Sequence, residues 1–326
     1  MVLQLPQTDS TYLAILSAIG AEDSEVALDR LKQYIQETNE PRELFPRFVD
    51  RATRYLLDAG VGRGLIDREE RALSDLLDTA YDAFDLAKGW VPIVGSAERA
   101  AALMGSDWGG ALELVRDMHS LWLDLHDRVC DQVFLLLTIG ARELGEATIG
   151  DMWDAMIGDM YESRLSYDLG RRSWSVSAEI LLEDAAVSLR GHMSGRNRTG
   201  EATLEELEDR WILKFEPCGS GGRMFRRDVN TDCVARADPP YSFSVTTSAH
   251  DWAWNTEGVC LYCVHCCQLQ QRVPIKMLGY PVRVIEPPVS SLSERKGRCS
   301  WSIYKHPDAV PEDAFRSVGE RSRFLG

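Results

Sequence analysis

Four cysteines and a histidine stand within eight residues, Cys260-Leu261-Tyr262-Cys263-Val264-His265-Cys266-Cys267. The two-residue spacing of Cys260, Cys263 and Cys266 lets successive thiolates turn toward one metal, which scattered buried cysteines do not do. His250 precedes the run by ten residues, and Cys218 opens a Gly-rich stretch, Cys218-Gly219-Ser220-Gly221-Gly222. Zinc takes any four of Cys and His in a tetrahedron. Cys218, His250, Cys263 and Cys266 are the expected ligands, with Cys260 as the first substitute. The same run with a remote Cys218 also suits a [4Fe-4S] cluster. The two histidines among the thiols favour zinc. Cys130, Cys233 and Cys299 read as small buried apolar residues.

The region holds more donors than one ion needs, so His265 or Asp251 is the expected proton carrier of a catalytic zinc. Backbone N–H groups of the Gly-rich stretch could face an anion. His250-Asp251-Trp252-Ala253-Trp254 sets a titratable pair beside two indoles, as in an apolar pocket with one polar group. Arg223, Arg226 and Arg227 read as a solvated loop, with a ligand carboxylate as the other reading. Together these features point to a zinc-dependent hydrolase or lyase for a small polar molecule. The alternatives are a non-catalytic, zinc-stabilised ligand-binding or sensory protein and an iron–sulfur redox protein.

The elements that must position these residues fall in two parts. Residues 1–195 read as a helical bundle and 200–326 as a small Cys/His-rich α+β metal-binding domain, with the turn-rich 191–200 segment between them. Helical spacing of apolar residues predicts helices over 11–38 with a break near Gly20, and over 41–58, 67–88, 110–143, 147–169 and 173–193. Trp90 to Gly95 reads as a connector. In the long helix His119 and His126 are too far apart to share a metal, and His126 with Asp127 is a candidate acid–base pair facing the second part. Met152, Trp153, Met156 and Met160 read as core. Thr203 with Glu206 reads as a capped helix start. Alternation predicts strands at 212–216, 241–245, 281–285 and 300–304.

The 326 residues carry 36 Lys/Arg against 51 Asp/Glu, a net charge of −15. That charge disfavours nucleic acid or an anionic membrane surface as partner. The split is uneven. Residues 213–326 hold 15 basic and 12 acidic side chains, which leaves 21 and 39 in residues 1–212. The longest apolar run, Val133 to Ala141, is far shorter than a membrane span, and the N-terminus lacks a secretory pattern, so the expected location is cytoplasmic. The expected partners are a small-molecule substrate and a second copy of the chain in a homodimer.

His126-Asp127 in the long helix, Gly145-Glu146-Ala147 at a helix start and the strand Cys299-Ser300-Trp301-Ser302-Ile303-Tyr304 resemble the bacterial L-2-amino-thiazoline-4-carboxylic acid hydrolase-like group. The resemblance spans residues 115–305 and does not include the Cys260 to Cys267 run, so no catalytic residue is carried over. It implies a cytosolic enzyme acting on a small nitrogen- or sulfur-containing molecule.

Overall fold

The computed structural model describes residues 9–79, 84–215, 217–226, 234–290, 295–296 and 298–322, so Arg227 and Cys233 lie outside the described residues. The N-terminal part is helical. Helix α1 (Thr11–Gly20) is capped by the Ser10 hydroxyl, which accepts the amide N–H of Leu13. Helix α2 (Ser24–Asp58) starts on the Asp23 carboxylate in the same way. Helices α3 (Arg63–Leu76), α4 (Leu86–Leu103) and α5 (Trp108–Leu144) follow. Shorter are α6 (Ile149–Ile157) and, after a stretch of 3-10 turns, α7 (Trp174–Gly191).

Two expected breaks are absent. Helix α2 continues through Pro41 and Pro46, although an interior proline costs about 3 kcal/mol of helix stability. The segment packs on α5, α6 and α7, and that burial holds it helical. Pro41 leaves the carbonyl of Glu37 without its helical N–H donor, and α7 crosses α2 at that carbonyl. A Cβ on Gly191 would overlap the Glu37 oxygen, so the crossing requires glycine. Likewise Trp90 to Gly95 is no connector but lies inside α4, again with an internal proline, Pro92.

The C-terminal part carries a four-stranded antiparallel sheet in the order β1-β2-β6-β3. Its strands are β1 (Thr203–Glu206), β2 (Arg210–Phe215), β3 (Val284–Glu286) and, beyond a small β4 (Val289–Ser290) and β5 (Arg295–Lys296) ladder, β6 (Cys299–Tyr304). The capped helix expected at Thr203 is therefore a strand. Leu204 pairs across to Leu213, and edge pairing has overridden a local capping signal. The strand expected at 241–245 is also absent, leaving only a bridge from Val245 to Cys260. On the inner face Phe215 stands opposite Cys299, and Leu213 opposite Trp301. The cysteine run forms a helical rod: a 3-10 turn at Leu261–Cys263, α8 (Val264–Cys267), a wide turn, and α9 (Val273–Leu278). A final α10 (Glu312–Arg316) closes the described chain.

The architecture is α+β, and one apolar core runs through both parts, from Ile15 and Trp122 to Trp301 and Phe315. Trp153 on α6 donates its indole N–H to the carbonyl of Leu261 at 2.8 Å, which ties the bundle to the cysteine rod. Among the described residues no helix is long and apolar enough to cross a membrane.

Candidate functional site

Two adjoining cavities lie where α2 and α7 meet the cysteine rod and the sheet. The smaller, about 60 Å³, is walled by Phe215, Trp254, Ile285 and Trp301 and receives Cys218, Cys263, Cys266 and Cys299. The larger, about 440 Å³, is lined by Phe45 and Phe48 of α2, by Asp184 and Val187 of α7, and by Leu269 and Gln270 of the rod. His192, Tyr262, His265, Cys266 and Trp301 line both.

His265 is fixed at its rear. Its Nδ1 donates to the carbonyl of Tyr262 at 2.6 Å, which leaves Nε2 as an acceptor. The Cys266 thiol lies 3.3 Å from that Nε2. Burial lowers the imidazole pKa to about 4 and raises that of the Cys266 thiol, so at neutral pH the pair is uncharged.

His192, directly after α7, has a longer support. Asp127 Oδ1 lies 2.9 Å from His126 Nδ1, and His126 Nε2 lies 3.0 Å from His192 Nδ1. With the carboxylate accepting from His126, the imidazole of His126 accepts in turn from His192. That places the free nitrogen of His192 at Nε2. The Ser220 hydroxyl sits 2.9 Å from the same Nδ1. Burial pushes both imidazoles down, most strongly His192, which also feels His126 and His265. Burial alone would raise the Asp127 carboxyl, yet Arg198 and Arg223 hold it well below the usual range.

The arginines that support Asp127 come from the 191–200 segment and the C-terminal part. Arg198 grips its carboxylate with both nitrogens at 2.6 and 3.0 Å, and Arg223 lies 3.3 Å away. One turn further along α5, the fully buried Asp131 takes Arg223 at 3.0 Å and Arg236 at 2.7 Å. Arg223 is thus a buried ion-pair partner and not part of a solvated loop. The correction has a physical source: two carboxylates on the inner face of a helix need cations from whatever packs on them. Arg226 reaches the carbonyl of Gly195.

The larger cavity is also lined by Glu40, Arg164, Asp184 and Arg283. Their hydrogen bonds go elsewhere: Arg283 to the carbonyl of Leu181, Arg164 toward Gln270 and Ser163, and Asp184 from the Tyr167 hydroxyl. No ion pair joins the two signs among the described residues. Burial raises Glu40, with Arg283 opposing, and burial lowers Arg164 and Arg283. The Nε of Arg283, a residue 5% exposed, has no hydrogen-bond partner, while the guanidinium lies 4.8 Å over the Trp301 ring.

Of the residues expected to bind zinc, Cys218, Cys263 and Cys266 share the smaller cavity, while His250 does not join them. Its Nε2 is 2.7 Å from Glu146, and its ring stacks on Trp252 at 4.2 Å, so it serves the junction between α5 and the 247–254 loop. Asp251 is also elsewhere, bonded to Arg272 at 2.9 Å. Cys260 is buried but lines neither cavity, and Cys267 turns toward the carbonyl of Asp251. Among the described residues no three His, Cys, Asp or Glu side chains are gathered tightly enough to hold one metal ion. The residues present therefore do not fit the expected zinc quartet. Sequence reasoning missed His192, which carries no motif, and Cys299, which reads as a small buried apolar residue. A turn-rich segment after Gly191 was the only signal at His192. His126 does reach the junction, through His192.

No protein-family model, curated protein or solved structure matches this chain.

Proposed function

We propose that the protein is an enzyme of the hydrolase or lyase class acting on a small nitrogen- or sulfur-containing zwitterion bound in the larger cavity. The observation that carries this reading is the pairing of chemistry on its walls. They present two guanidiniums and two carboxylates that act on one another electrostatically without forming salt bridges. They also present two neutral imidazoles, His192 with Nε2 unprotonated and His265 with Nε2 beside the Cys266 thiol. A substrate carboxylate between Arg283 and Arg164 satisfies the orphaned Nε, and its cationic nitrogen falls to Glu40 and Asp184.

The reacting part of such a molecule lies toward His192 and His265. In a hydrolysis, His192 Nε2 takes a proton from water as the water oxygen bonds to the substrate carbon. The same proton then passes to the departing nitrogen or sulfur. Because burial depresses the His192 pKa, the imidazolium gives the proton up readily, and the His126–Asp127 chain stabilises it while it is held. His265, within electrostatic reach of His192, orients the leaving group. The group resembled by residues 115–305 is named for a molecule of this type, with a basic nitrogen and a carboxylate on a small sulfur ring.

Calorimetry with L-2-amino-thiazoline-4-carboxylate, and with the same ring lacking the carboxylate, tests the reading. The carboxylated compound should bind and be consumed, Arg283→Gln should weaken binding at least tenfold, and the decarboxylated ring should bind poorly. Equal binding of both compounds, or of neither, would sink the zwitterion site. Binding without consumption would instead favour a ligand-binding or sensory protein.

A further inference from the structure

Among the described cysteines only Cys218 and Cys266 are partly exposed. Cys266 lines both cavities, whereas Cys218 lines the smaller one alone. Along the rod, His265 and Cys266 are the two partly exposed residues in a stretch otherwise buried from Val259 to Gln271. The thiol has a base beside it. Cys266 Sγ lies 3.3 Å from His265 Nε2, and His265 Nδ1 donates to the carbonyl of Tyr262 at 2.6 Å. Nε2 is therefore left to accept the thiol proton. The rings of Tyr262 and Trp153 pack on the imidazole, with centroids 4.7 and 5.1 Å away. A nucleophile, a base within hydrogen-bond reach and a third group that orients the base are the parts of an activated thiol. The Arg283 guanidinium, assigned above to the substrate carboxylate, acts electrostatically on the Cys266 sulfur, so anchor and thiol are within reach of one small molecule.

We propose that Cys266 is a catalytic nucleophile, with His265 as its base and the Tyr262 carbonyl as the group that orients the base. In the first step Cys266 Sγ bonds to the electrophilic carbon of the substrate as the thiol proton passes to His265 Nε2. The bond from that carbon to the departing nitrogen or sulfur breaks, and the departing group takes the proton from His265. In the second step water gives a proton to His192 Nε2 as its oxygen bonds to the same carbon. The carbon–Sγ bond then breaks and the proton returns to Cys266, so the sum is a hydrolysis that needs no oxidant or reductant. Burial keeps thiol and imidazole neutral at rest, so the thiol proton leaves as the new bond forms. This order of steps rests on the zwitterion reading, while the dyad rests on the geometry of the rod alone.

The test alkylates the full chain with iodoacetamide and maps the modified residues by mass spectrometry. Cys266 Sγ displaces iodide while His265 takes the proton, so Cys266 should be marked ahead of Cys218. Burial slows a thiol that has no base to take its proton, and this order therefore follows from the dyad and not from exposure. His265→Gln should slow the labelling of Cys266 about tenfold or more and leave that of Cys218 unchanged. With L-2-amino-thiazoline-4-carboxylate, rapid acid quenching should trap a substrate-derived mass on Cys266. Cys266→Ala should bind the compound within a few-fold of wild type but not consume it. Labelling of Cys218 first, equal rates in His265→Gln, or consumption by Cys266→Ala at the wild-type rate would overturn the proposal. The wild-type mapping decides even where a variant fails to fold. If the thiazoline does not bind, the zwitterion reading falls, and the order of alkylation still decides the dyad.

Discussion

The buried histidines take opposite roles according to what touches their second nitrogen. His119 stacks on Tyr12 at 3.7 Å and bonds the Tyr34 hydroxyl through Nδ1 at 3.0 Å, so its ring serves packing, and burial takes its pKa to about 3. His192 and His265 keep one nitrogen toward a cavity. Replacing His192 by Gln should cut turnover of the bound zwitterion by about two orders of magnitude or more. Calorimetric affinity should stay within a few-fold, and an equal loss of both would assign His192 to binding alone. Asp131 belongs to the fold. Asp131→Asn removes the counter-charge of two buried guanidiniums and should destabilise the protein by about 3–5 kcal/mol. Urea unfolding measures this, and a loss below about 1 kcal/mol would mean that water reaches Arg223 and Arg236.

At the scale of elements, close approaches decide the site. The α2–α7 crossing rests on Gly191, whose carbonyl also accepts the Trp122 indole N–H at 3.0 Å. On the polar side of the same crossing, Arg190 holds Glu37 at 2.6 Å, both nearly free of solvent. Gly191→Ala must part the two helices and should lower the melting temperature by several degrees, as a loss of a few kcal/mol does. An unchanged melt would show that α7 can slide without cost. The loop that carries Cys218 is held in the same manner. A Cβ on Gly219 would overlap the carbonyl of His192, so the loop lies directly on the segment that presents His192. The amphipathic pattern of each helix was legible in the chain. The continuation of α2 past Pro41 was not, because the energy that overrides a proline comes from α5, α6 and α7, far along the chain.

For the whole molecule, the shared core predicts that residues 1–195 alone will not form a native fold, since Phe134 and Trp153 would lose their C-terminal cover of Phe243, Leu261 and Tyr262. A fragment with sharp, cooperative unfolding would contradict this. Acid should weaken the intact protein early. His119, His126, His192 and His265 are neutral when folded and bind protons more readily when unfolded. Their contribution is intact above the unfolded histidine value of about 6.5 and falls as pH drops below it. Melting temperature measured from pH 7 to pH 4 should decline throughout, and a flat profile would show that these imidazoles are hydrated. The buried arginine network gives the uneven charge of the two parts a purpose, because α5 supplies carboxylates and the later segments supply the guanidiniums.

Local sequence determined most helical stretches, though not the helix through Trp90 to Gly95 or the strand at Thr203, and it determined that cysteines crowd the C-terminal part and that the chain is α+β with a helical N-terminal region. Periodicity and composition act over a few residues, so they are visible one stretch at a time. Which thiols share a cavity depended on tertiary structure. Cys260 and Cys266 belong to one run, yet only Cys266 lines the void, because Cys260, bridged through its backbone to Val245, is fully buried away from it, while β6 brings Cys299 in. The same holds for His192, whose partner chain to Asp127 spans 65 residues of sequence and exists only because α5 and the end of α7 are packed side by side.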